Sequence, residues 1–156
     1  MKPFIFFIKL TLVVLTLMFI WGNSMMPGEL SSKESETMLE VLEPVVEPVV
    51  EELQERGYEV TEIFLVRKMA HFTEFMILGA LMFLLFVKPD GRSRYILPSM
   101  LCLGAAMIDE GIQIFAMERG PALRDVGIDF CGSLIGILAT ALVVLIVYSI
   151  LTPRPR

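Results

Sequence analysis

Hydrophobic residues in this chain fall into four long blocks separated by polar linkers. The first runs from Phe4 to Trp21, the second from about Ile63 to Val87, the third from Tyr95 to about Phe115 and the fourth from about Val126 to Leu151. A helix needs ~20 mainly apolar residues to cross the hydrocarbon core of a bilayer. The blocks are continuous rather than alternating, which selects helices over the strands of a barrel. The pattern therefore predicts an all-α, polytopic membrane protein with four transmembrane helices. They form one membrane domain over residues 1–156, with no room for a separate soluble domain.

The long linker, residues 22–62, has a pattern of its own. Pro27-Gly28 marks a turn, and Ser31 with Glu34 makes a candidate capping box that would open a helix. Met38, Leu39, Leu42, Val45, Val46, Val49, Val50 and Leu53 then recur at helical spacing, with Glu36, Glu40, Glu43, Glu47 and Glu51 on the other face. Pro44 and Pro48 each remove a backbone donor, so a kinked amphipathic helix is expected here, outside the membrane. Gly57 would end it and Thr61 would cap the next helix. The simplest role is a solvated lid with an apolar underside; a partner-binding surface is the sharper alternative.

Composition supports the membrane assignment, with 55% hydrophobic residues and a mean hydropathy of +0.70. The net charge of −5 comes mainly from the eleven glutamates between Glu29 and Glu62. It argues against nucleic acid as a partner, since nothing here would neutralise a row of phosphates. Basic residues set the orientation. With the N-terminus inside, Lys2, Lys9, Lys88, Arg92, Arg94, Arg154 and Arg156 are cytoplasmic. Lys33, Arg56, Arg67, Lys68, Arg119 and Arg124 are external. The basic 88–94 loop and C-terminal tail, set against the acidic linker, place both termini in the cytoplasm. The first block could instead be a cleaved signal, with Gly22-Asn23-Ser24 as small residues at the cut; its length favours a retained helix. Cys102 and Cys131 both fall in apolar helices and are expected to pack as free thiols.

Ten ionisable or amide side chains interrupt the last three blocks or their edges. They are Lys68, His71 and Glu74, then Asp109, Glu110 and Gln113, then Arg119, Arg124, Asp125 and Asp129. A charge at bilayer depth costs at least ~2.5–3.5 kcal/mol on insertion scales, so the groups are expected to meet. The predicted topology brings all three sets to the outer leaflet. Helical spacing puts His71 with Glu74, Asp109 with Gln113 and Asp125 with Asp129 on shared faces. The stripe of Asp125 and Asp129 continues into Gly132 and Gly136, a GxxxG step that permits close helix approach. Lys68, Arg119 and Arg124 can pair with the five acids.

Four uses remain open: a ligand pocket, an acid–base site built on His71 and Glu74, an ion-pair network that only fixes helix register, and a proton or ion path. No cofactor is expected. One histidine with several acids would suit a hard cation, but no recognised metal-ligand motif appears. A nucleophile triad, a P-loop and a dinucleotide fingerprint are likewise missing.

Taken in order, these residues resemble the VanZ-like family of small membrane proteins. The matching pieces are Arg67-Lys68-x-x-His71-Phe72-x-Glu74-Phe75-x-x-Leu78-Gly79, Asp109-Glu110-x-x-Gln113-x-Phe115, Arg119, and Asp125-x-x-x-Asp129-x-x-Gly132-x-x-x-Gly136. The likeness covers residues 63–137. Phe75 stands where many members carry Tyr, and Asp129 where many carry Asn. The resemblance implies a bacterial cell-envelope role related to low-level teicoplanin resistance. It carries over Lys68, His71, Glu74, Asp109, Glu110, Gln113, Arg119 and Asp125 as site residues without assigning catalysis to any. The expected ligand is an amphiphile of the outer leaflet: a membrane lipid, a lipoglycopeptide or a lipid-linked wall precursor. Lys68, Arg119 and Arg124 would face its phosphate or carboxylate groups, and Asp109, Glu110 and Asp129 its amines.

Overall fold

The computed structural model describes residues 3–88, 95–116 and 122–151. Among them the chain is helical throughout, in five elements: α1 (Pro3–Ser24), α2 (Gly28–Glu55), α3 (Glu62–Phe86), α4 (Ile96–Gln113) and α5 (Leu123–Leu151). α1, α3 and α5 are each long and apolar enough to cross a membrane. Their outward faces are apolar: Phe4, Phe7, Phe19, Leu138 and Ile146 are all exposed. A surface of this extent has no place in water, and it marks a membrane protein. α4, with 18 residues, falls short of the three on apolarity, because its last turns carry Asp109, Glu110 and Gln113.

α3 is the axis of the fold and packs against all four other helices. One core cluster joins α1, α3 and α4 through Val13, Ile20, Phe75, Leu78, Met82, Cys102 and Ala106. A second joins α3 to α5 through Phe83, Ile137 and Ala141. Lys9 near the start of α1 donates to the Leu84 carbonyl at 2.7 Å, and Asn23 near its end donates to Glu74 at 2.9 Å. α1 and α3 therefore run antiparallel.

The α3–α5 contact is made backbone to backbone. A Cβ on Gly79 would collide with the Ser133 carbonyl, one on Gly132 with the Phe72 carbonyl, and one on Gly136 with the Met76 carbonyl. The GxxxG step of α5 is thus matched by a glycine on α3 itself. Without side chains between them, the two helices can approach this closely.

α2 departs from expectation in two ways. It begins at Gly28, with the Ser31 N–H donating to the Pro27 carbonyl at 3.1 Å. Ser31 is thus already in the first turn, and the Ser31–Glu34 capping box does not open the helix. The buried stripe is also narrower than the apolar pattern. Ser35, Val46 and Val50 are buried, with Leu39 and Leu42 packing alongside against Val60, Leu65 and Val66. Met38, Val45 and Val49 stay exposed. Pro44 and Pro48 lie inside one continuous helix. At 100° per residue they fall roughly opposite the buried stripe, where released carbonyls can find water.

The ends are as the sequence predicts. Gly57 adopts φ 86°, and the N–H groups of Gly57 and Tyr58 return to Gln54 and Leu53, closing a Schellman turn. Thr61 caps α3 by accepting from the Phe64 N–H at 3.2 Å. Both cysteines are free, Cys102 buried and Cys131 exposed.

The glycine seam predicts that Gly132→Leu or Gly136→Leu will cost at least ~1–3 kcal/mol, the range for overpacking. Gly104→Ala, where a Cβ would meet nothing within 4 Å, should be neutral. Thermal unfolding in detergent, followed by circular dichroism, checks the pair; equal midpoints would show that close approach is not required.

Candidate functional site

Four helix ends meet on one side of the bundle, and Asp109 is at their centre with no exposed surface. Its Oδ1 accepts from the Ser24 hydroxyl at 2.6 Å, and its Oδ2 accepts from the Gln113 amide at 2.9 Å. The second bond follows from the i, i+4 spacing on α4; the first ties in the last residue of α1. Asn23, one position earlier, donates to Glu74 Oε1. His71 lies between the two acids, its Nδ1 3.9 Å from Asp109 Oδ2 and 4.0 Å from Glu74 Oε2. Those separations exceed hydrogen-bond length and are short enough for strong electrostatic coupling.

α5 brings the rest. Lys68 and Asp125 form an ion pair with both side chains largely buried. Arg124 approaches Asp125 at 3.9 Å, but its side chain is 69% exposed, at the rim of the cluster. Both cations lie 5.3 Å from the centroid of the Phe64 ring, a cation–π arrangement on the first turn of α3. Glu110 on α4 accepts the Ala122 N–H, taking up a backbone donor at the start of α5. Its other oxygen is buried and has no hydrogen-bond partner among the described residues. Asp129 is buried next to this group. Its carboxylate, that of Asp109 and a His71 ring nitrogen lie within 4.8 Å of one another. Arg119 lies outside the described residues.

Beside this cluster runs a groove of about 730 Å³ between α1, α2 and α3. Its lining combines apolar Phe19, Met38, Leu42, Val66 and Ile77 with polar Asn23, Glu34, Arg67, His71 and Glu74. A second hollow of about 280 Å³ shares Phe19, Glu74 and Ile77 with it and continues along α1 past Leu15 to Leu12. Of the described site residues read from sequence, only His71 and Glu74 line the groove. Lys68 and Arg124 are engaged with Asp125 and Phe64, while Asp109, Gln113, Glu110, Asp125 and Asp129 form the packed cluster behind it.

Asn23, Ser24 and Arg67 are the participants that sequence reasoning missed. Asn23 and Ser24 look like small residues at a cleavage site, and Arg67 like the first letter of a motif. The available signal was depth: the last turn of α1 ends at the level where His71 and Asp109 lie.

Residues 7–147 match the VanZ/LLP1 family, which is nearly the whole chain. The protein belongs to that family. No curated protein and no solved structure matches it.

Ser24→Ala would leave buried Asp109 short of one donor, a loss of roughly 1–3 kcal/mol. The half-buried Asn23→Ala should cost less. Unfolding midpoints measure both. The same contacts predict that protein purified from membranes keeps α1, so intact mass should include residues 1–24; a product cut after Ser24 would refute that.

Proposed function

We propose that this protein holds a membrane amphiphile at the outer face of the bilayer. The candidate ligands are a lipid-linked envelope precursor and a lipoglycopeptide such as teicoplanin, whose shared chemistry is a hydrocarbon tail beneath a polar, charged head. The observation that carries this reading is the groove, which is lined by apolar side chains together with the polar groups of Asn23, Arg67, His71 and Glu74. The hollow continuing along α1 suits a tail lying parallel to the helix axis.

In this reading four helices cross the membrane and both termini are cytoplasmic. α4, at ~1.5 Å per residue, is about 27 Å long, close to the ~30 Å hydrocarbon core. Its polar end reaches the outer interface with those of α1, α3 and α5. α2 lies across that interface, its glutamates in water and its exposed Met38, Val41, Val45 and Val49 toward lipid. Arg67 would meet a phosphate or carboxylate on the head; Arg119, outside the described residues, is the other candidate cation. His71 and Glu74 meet hydroxyl or amine groups. Lys68 acts by position, holding Asp125 and hence the start of α5. Asp109, Glu110 and Asp129 act from behind the groove rather than on the ligand's amines.

A second reading, an enzyme acting on an envelope lipid, draws on His71 lining the groove within 4.0 Å of Glu74 and 3.9 Å of Asp109. It would make His71 the proton-transfer group and Glu74 its partner.

The test uses full-length protein in nanodiscs with a photoreactive undecaprenyl phosphate and a fluorescent teicoplanin as probes. Filling the groove with Ala70→Phe should reduce capture of the bound probe by about tenfold, the effect of losing ~1.4 kcal/mol. Expression in a susceptible host should raise teicoplanin tolerance, and Lys68→Ala, His71→Ala, Asp109→Ala and Arg119→Ala should each remove the rise at unchanged protein level. Unaltered capture by the filled groove would overturn the binding reading. Turnover of a labelled lipid that is lost in His71→Ala and kept in Lys68→Arg would favour the enzyme.

A further inference from the structure

The polar cluster concentrates its negative charge at one point. Asp129 is only 2% exposed. Among the described residues its carboxylate accepts no hydrogen bond and joins no ion pair. Among the described residues the other acids of the cluster are Asp109, Asp125 and Glu110, and its largely buried cation is Lys68. That cation is already paired with Asp125. A carboxylate withdrawn from water in this company either holds a proton or gains a counter-charge.

The geometry supplies a place for one. One ligand atom each from His71, Asp109 and Asp129 lie within 4.8 Å of one another, on α3, α4 and α5 respectively. A modest closure would put all three ~2.0–2.2 Å from a common centre, the bond length of zinc to nitrogen and oxygen. Ser24 and Gln113 already fix the orientation of the Asp109 carboxylate, as outer partners of metal ligands do.

We propose that His71, Asp109 and Asp129 bind one divalent transition-metal ion, with zinc the best match. Two carboxylates balance its charge. The imidazole selects it over magnesium and calcium, which prefer all-oxygen shells. Three protein ligands leave a fourth position open. The ion also explains why three helices bring acids together at membrane depth: it bridges them. The inference stands whether or not an amphiphile fills the groove.

The experiment uses full-length protein purified in detergent without chelator. Elemental analysis should find about one zinc per chain, the occupancy expected of a three-ligand site. After stripping with EDTA, ZnCl2 should restore a higher unfolding temperature, and MgCl2 should not. Asp129→Asn, which keeps side-chain volume, and His71→Gln should each weaken zinc binding by about a hundredfold. Glu40→Gln, on the exposed face of α2 and outside both groove and triangle, should bind as wild type. Manganese in place of zinc would support the same site. A folded, cooperatively melting wild-type protein that takes up neither zinc nor manganese would overturn the proposal. So would Asp129→Asn binding zinc as tightly as wild type. If Asp129→Asn fails to fold, the wild-type metal content and His71→Gln decide.

Discussion

The close approach of α3 and α5 is the constraint from which the rest of the site follows. Gly79, Gly132 and Gly136 leave no side chain between the two backbones, so the register of one helix on the other is fixed to within a turn. Asp129 sits three residues before Gly132 and Asp125 a turn earlier. Locking the glycines therefore delivers Asp125 to Lys68 and Asp129 to the side of His71. A bulkier seam would hold the helices apart and leave these charges facing lipid, where their cost is highest.

The second element of the design is layering. Behind the groove, buried groups are held by one another: Ser24 and Gln113 on Asp109, Lys68 on Asp125, Glu110 on the start of α5. In front, His71 and Glu74 face both ways, touching the cluster and lining the groove. A ligand in the groove would thus meet His71, which lies against Asp109, a group the ligand does not contact. Lys68 and Arg124 fit this division, since their partners are Asp125 and the Phe64 ring rather than the groove.

α2 shows where pattern and packing part company. Its apolar arc is wide enough to suggest a helix buried along one whole face. In the fold, α3 covers only the stripe of Ser35, Leu39, Leu42, Val46 and Val50, while Met38, Val45 and Val49 stay open. Periodicity reports how much of a helix avoids water. It does not report whether the apolar neighbour is protein or lipid. The start of the helix was similarly misread, because a Ser-x-x-Glu pair is as compatible with an early turn as with a cap, and Pro27 already fixes the entry.

Sequence alone determined the helical class, the long apolar spans, the caps at Gly57 and Thr61, the GxxxG face and the family. These are properties of spacing, transfer cost and motif order, which act locally or add along the chain. It also predicted that the polar groups would meet, because burying charge is costly wherever it occurs. Only the tertiary structure decided which of those groups touch. Asp109 meets Ser24 from a helix 85 residues away, and no local rule couples them. His71 and Asp129 are brought side by side by a seam whose matching glycine lies on another helix. The groove exists only because α2 folds back over α1 and α3. Contacts of this kind depend on how helices cross, and the crossing is set by all of their faces at once.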